Sequence, residues 1–142
     1  TKYILDNTNM QVTAIETEYQ HCKKITESYE DRCRVFGENT LQASESFEDE
    51  SVDFVYINSL PDSVLSNIEE WFPKIKTGGI VAGSGYRMSD NPGLVMAVEE
   101  FAEEQGLNVL ETGTTGNARE SMLGDIDEYD SDTPSWVIIK EE

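Results

Sequence analysis

Short apolar runs alternate with longer amphipathic stretches along the chain, and this rhythm predicts its elements. MQVTAIET, residues 10–17, has the β-branched enrichment of a strand. EYQHCKKITESYEDR follows, with Tyr19, Cys22, Ile25 and Tyr29 at helical spacing. CRVFGEN reads as a second strand stopped by Gly37, TLQASESFEDES as a polar, acidic connection, and VDFVYIN as a third strand. LPDSVLSNIEEWFPKIKTGG is the best-marked helix. Pro61 and Asp62 suit its first turn, and Val64, Leu65, Ile68, Trp71, Phe72 and Ile75 make one apolar stripe. Pro73 is expected to distort or end its regular part, and Gly78-Gly79 to close the connection. IVAGSGY is a further strand. NPGLVMAVEEFAEEQG is a helix with Pro92 near its start and Gly106 as its C-cap. LNVLETG and SWVIIK are the last strands, joined by a long polar loop. The opening TKYILDN fits either a short helix closed by Asn7 or a short strand.

Strands alternating with helices at this spacing imply βαβ crossovers. The last pair of strands has no convincing helix between them, which favours an antiparallel final strand. The expected fold is therefore α/β: a Rossmann-like, doubly wound mixed sheet, mostly parallel with an antiparallel last strand, and helices on both faces.

Composition narrows the function classes. At 142 residues the chain is expected to be a single domain, 1–142. Ten basic against 29 acidic residues give a net charge of −19, a surface that repels phosphate backbones and anionic lipid. Nucleic acid is therefore not the expected partner, and no segment approaches the length of a membrane span. Cys22 and Cys33 lack metal-type spacing and read as free thiols of a reducing cytoplasm.

DFVYINS and SVLSNIEEWFPKIKTGGIVAGSGY, taken in order, resemble the second half of a class I S-adenosylmethionine-dependent methyltransferase. That family carries a strand of the DFVYID type, an amphipathic helix with an aromatic pair, a K-x-G-G turn, and a strand ending in a glycine-containing loop with an aromatic. VTAIET resembles the family's second strand and VFGEN its third, so the likeness covers about residues 10–140. It implies S-adenosylmethionine as cofactor and a small molecule or sugar as methyl acceptor. It also implies that Glu16 binds the ribose hydroxyls, with Glu18 as the fallback, and that Glu38 or Asn39 meets the adenine. Asn58 would face the transferred methyl. Ser59, Ser84, Tyr86 and an acidic loop would shape the acceptor pocket. A carboxylate at a strand end can accept two hydrogen bonds from a vicinal diol, which suits Glu16 to that role.

The chain departs from the family pattern in two places. No G-x-G turn precedes VTAIET, so the domain is expected to lack its N-terminal strand and glycine-rich loop. A partner chain, a second copy or further polypeptide would then complete the sheet. Asn58 stands where metal-dependent members carry an acid, and a neutral amide is a weak ligand, so a metal-independent transferase is expected. His21 reads as a surface or capping residue. Asp125, Asp127, Asp130 and Asp132 crowd one segment but lack the glycine and terminal glutamate of an EF-hand loop. The alternative is a non-catalytic remnant of the same fold, acting as an interaction module.

Overall fold

Two parallel strands and three short helices account for residues 1–46. The computed structural model describes residues 1–16, 18–29, 31–37, 39–112 and 134–142. It forms two compact units, Thr1–Ser46 and Phe47–Glu142.

In the first unit the opening segment is a helix, α1 (Lys2–Asn7). Lys2 pairs with Asp6 one turn on, while Asn7 Nδ2 and Thr8 Oγ1 donate to the carbonyls of Tyr3 and Ile4. Arg32, distant in sequence, donates to the Leu5 and Thr8 carbonyls and so satisfies the helix end. Strand β1 (Val12–Ile15) crosses through α2 (Tyr19–Thr26) and a 3₁₀ turn (Glu27–Tyr29) to the parallel strand β2 (Cys33–Phe36). The inward face of α2 is offset from the expected stripe. Ile25 is 41% exposed, whereas Thr26 is buried and returns its hydroxyl to the Cys22 carbonyl. The segment expected to be a plain connection contains a helix, α3 (Thr40–Ser44). Asn39 caps it by accepting from the Leu41 N–H, and this cap outweighs the polar composition around it.

The second unit is a four-stranded sheet in the order β3-β4-β6-β5. Strand β3 (Val52–Ile57) runs parallel to β4 (Ile75–Gly83), and β6 (Ser135–Ile139) lies antiparallel to both β4 and β5 (Val109–Thr112). The last strand is thus antiparallel, as its loop connection implied. Helix α4 (Val64–Trp71) is extended by 3₁₀ turns at Pro61–Ser63 and Phe72–Lys74. Pro73 ends the regular helix there, so Ile75 opens β4 instead of closing the helical stripe. The K-x-G-G turn lies inside β4, not ahead of it. Two steps along β3, Val52 to Phe54, match five along β4, Ile75 to Ile80, and Gly78 takes φ +80° within the irregularity. Lys140 ties this region to β6, its ammonium donating to the Phe72 and Ile75 carbonyls.

Helix α5 (Pro92–Gln105) ends at Gly106 in the left-handed conformation, as its sequence implied. Helices α4 and α5 supply Val64, Ile68, Leu94, Val98 and Phe101 to a core shared with Ile57, Val81, Trp136 and Ile138. The opposite residues of the sheet are more open: Phe54, Tyr56, Leu110 and Ile139 are all exposed. No helix among the described residues is long and apolar enough to cross a membrane.

Gly83 fixes how closely β4 and β6 approach. A Cβ there would stand 2.6 Å from the Ile57 carbonyl oxygen and from Trp136 Cζ2. Gly83→Ala is therefore expected to destabilise the protein by about 1–3 kcal/mol through overpacking. Gly93→Ala, with nothing within 4 Å of the new methyl and a helical position, is expected to stabilise slightly. Urea denaturation of the two variants checks the contrast.

Candidate functional site

Parallel pairing of β3 with β4 places their carboxyl ends side by side, with Ile57 opposite Gly83. The residues just beyond are Asn58 and Ser84, and the structure joins them. Ser84 Oγ donates to Asn58 Oδ1 at 2.9 Å. Ser59 lies next in the chain, with its Oγ buried and without a hydrogen-bond partner. Trp136, on the same rung as Ile57 and Gly83, is also buried with its Nε1 unpartnered. Among the described residues, the strand ends thus hold one hydrogen-bonded polar pair and two polar atoms without a partner. Trp136 belongs to the core of the second unit, and nothing in the spacing signals that its N–H has no partner among the described residues.

Tyr86 is held differently. Its backbone N–H donates to the Pro134 carbonyl, and its hydroxyl donates to Glu99 Oε1 at 3.0 Å. It packs against the core of the second unit and lines a cleft of about 480 Å³ with Glu99, Glu103, Leu107, Asn108 and Val109. Glu99 is a contact that no sequence pattern announced, since it sits on the next helix, α5. Burial, then the hydrogen bond to Glu99, pushes the Tyr86 phenol up to about 12.

In the first unit, Glu16 continues the β1–β2 ladder, its N–H donating to the Phe36 carbonyl. Its exposed side chain lines a cleft of about 430 Å³ with Lys2, Glu18, His21, Cys22 and Ile25. Both sequence-level candidates for the ribose, Glu16 and Glu18, thus face one cleft, and His21 joins them. The Cys22 thiol is pushed up by burial and by the Glu16 carboxylate, so it stays protonated at neutral pH. Asn39 has its Oδ1 committed to capping α3. Glu38 and the acidic run of Asp125, Asp127, Asp130 and Asp132 lie outside the described residues. Among the described residues, no group of three or more His, Cys, Asp or Glu side chains is arranged to hold a metal ion.

Tyr86 gives a pH signature. Its folded-state phenol titrates near 12, above the ordinary value of 10.0. Below pH 10 both folded and unfolded forms are protonated and its contribution to stability is complete. Between 10 and 12 the unfolded phenol ionises first, so that contribution is lost as pH rises. Titration of tyrosinate absorbance is expected to show a late-ionising component that is absent in Tyr86→Phe.

The comparisons with known proteins follow the same architecture. A family model described as a methyltransferase domain matches residues 2–84, more than half of the chain. No curated protein sequence matches it significantly. Among solved structures, a protein from Corynebacterium glutamicum superposes with a TM-score of 0.71 at 15% identity, over 99% of this chain and 66% of the other. An rRNA methylase from Streptococcus thermophilus gives 0.61 at 14% identity, over 93% and 74%. A SAM-dependent O-methyltransferase from Thermotoga maritima gives 0.61 at 15%, over 93% and 50%. The chain therefore spans between half and three quarters of the length of these structures. Identities this low carry the fold alone, whereas the family match rests on the sequence itself. The chain belongs to the methyltransferase domain family, whose cofactor is S-adenosylmethionine.

Proposed function

We propose that this chain carries out S-adenosylmethionine-dependent methyl transfer to a small molecule or sugar, without a metal ion. The observation that carries the reading is the polar group at the carboxyl ends of β3 and β4, where Ser84 holds Asn58. Open α/β sheets place their ligands at such strand ends. When bound, S-adenosylmethionine supplies an electrophilic methyl group.

The residues present suit that cofactor. Glu16 ends β1 with an exposed carboxylate that has no hydrogen bond or ion pair among the described residues, and it can accept from both hydroxyls of a ribose. Asn39 spends its Oδ1 on a helix cap, which leaves its Nδ2 as the donor toward a purine nitrogen. Glu38 shares the adenine role in this reading. Asn58, oriented by the Ser84 hydroxyl, borders the reacting centre, and Ser59, Ser84 and Tyr86 shape the acceptor side. An amide whose oxygen already accepts a hydrogen bond is a poor cation ligand, which supports metal independence. Catalysis then rests on alignment: a nucleophilic acceptor held in line needs little acid or base assistance. The net charge of −19 favours a small acceptor over nucleic acid, and two free thiols suit the cytoplasm.

The reading includes a further parallel strand and glycine-rich loop, supplied by polypeptide beyond these residues or by a partner chain. Strand β3 has apolar residues on both faces, the pattern of an interior parallel strand, yet among the described residues it pairs on one edge only. An open edge of that kind is an association hazard unless filled.

Calorimetric titration with S-adenosylhomocysteine, on this chain and on a longer natural form, tests the proposal. Glu16→Ala is expected to weaken binding by at least about tenfold, roughly 1.4 kcal/mol. Absence of binding by both forms would reject the cofactor and leave a methyltransferase-fold interaction module.

A further inference from the structure

Two polar atoms at the carboxyl end of the four-stranded sheet have hydrogen-bonding capacity that nothing among the described residues uses. Trp136 is 0% exposed and its indole Nε1–H has no partner among the described residues; Ser59 Oγ is likewise buried and unpartnered among them. Native interiors satisfy roughly nine in ten such groups or more, so two orphans at one end of a sheet call for a cause.

Register puts them at the same end. Ile57, Gly83 and Trp136 share one rung, and Ser59 follows Ile57 by two residues. Gly83 admits the indole: a Cβ there would stand 2.7 Å from Trp136 Cε2, the ring atom bonded to Nε1. The N–H edge of the ring is therefore held at the carboxyl end of β4. Packing does not account for the choice of residue, because phenylalanine also fills an aromatic site and brings no donor to satisfy. Of the polar residues at these strand ends, Ser84 gives its hydroxyl hydrogen to Asn58 Oδ1.

We infer that Trp136 Nε1–H and Ser59 Oγ–H recognise a carbonyl oxygen of the methyl acceptor, which makes that acceptor a small, neutral, carbonyl-bearing molecule. The inference rests on the reading of these strand ends as the acceptor side. An indole N–H only donates, and a serine hydroxyl donates as readily as it accepts, so the pair suits an oxygen with lone pairs and no proton. A chain of net charge −19 disfavours a carboxylate at the same place, since burying an anion requires a paired cation. Trp136 is shielded from solvent, so the strand ends must open to admit the ligand, and slow exchange is expected.

Indole ¹⁵N–¹H spectra of this chain provide the test. The chain has two tryptophans, Trp71 and Trp136, and Trp136→Phe assigns their signals. Titration with benzamide is expected to move the Trp136 signal saturably and leave that of Trp71 in place; toluene, matched in ring but lacking the carbonyl, is expected to move neither. Ser59→Ala and Trp136→Phe are each expected to weaken benzamide binding about tenfold, close to the 1.4 kcal/mol of one hydrogen bond. No saturable shift, unchanged affinity in Ser59→Ala, or tighter binding of benzoate than benzamide would each overturn the inference. S-adenosylhomocysteine titration of the same proteins separates the two readings. Benzamide binding without cofactor binding, by this chain and by a longer natural form alike, would uphold the carbonyl site and reject methyl transfer. Cofactor binding without benzamide binding would do the reverse.

Discussion

The contact between the Trp136 ring and Gly83 governs the arrangement of the second unit. Every other residue type at position 83 would place a carbon within 2.7 Å of both the ring and the Ile57 carbonyl. With glycine there, β6 closes on β4 in antiparallel register while β3 keeps its parallel pairing on the other side. Three strands consequently meet on one rung, and their polar residues gather just beyond it. The Asn58–Ser84 hydrogen bond and the buried polar atoms of Ser59 and Trp136 lie at that end of the sheet.

A second constraint acts on β3. Its inner face, Val55 and Ile57, packs into or against the core, while Phe54 and Tyr56 project from the sheet with their rings 6.4 Å apart. A strand apolar on both faces is adapted to burial on both, and among the described residues it pairs on one edge only. In the first unit the same kind of dependence runs through Arg32. Its guanidinium reaches the carbonyl end of α1 from the start of β2, so a marginal six-residue helix draws its termination from a distant residue.

Much of this architecture could be read in the chain, and the failures have physical causes. The strands VTAI, CRVF, VDFVYI and SWVII and the helix PGLVMAVEEFAEEQ lie where period and caps put them. Helix α3 leaves no periodic signal because a single N-cap, Asn39, decides it against a polar background. The spacing of Ile75 fits the apolar stripe of a helix, yet Pro73 ends that helix and hands Ile75 to the strand. Of the candidate residues, Asn58 and Ser84 were each visible as strand ends, but their hydrogen bond was not. The attachment of Tyr86 to Glu99 had no sequence signal at all, since thirteen residues separate them across a loop and a helix.

Sequence alone determined the alternation of elements, the antiparallel final strand, the acidic surface and the series of motifs that marks the family. These follow from local rules: hydrophobic period, turn residues, charge count and order along the chain. The tertiary structure decided which polar groups are spent and which remain. Asn39 is used as a cap, Asn58 is used by Ser84, and the Trp136 N–H is used by nothing among the described residues. Hydrogen-bond satisfaction depends on which side chains packing brings within about 3 Å of one another. Linear spacing carries no information about that distance.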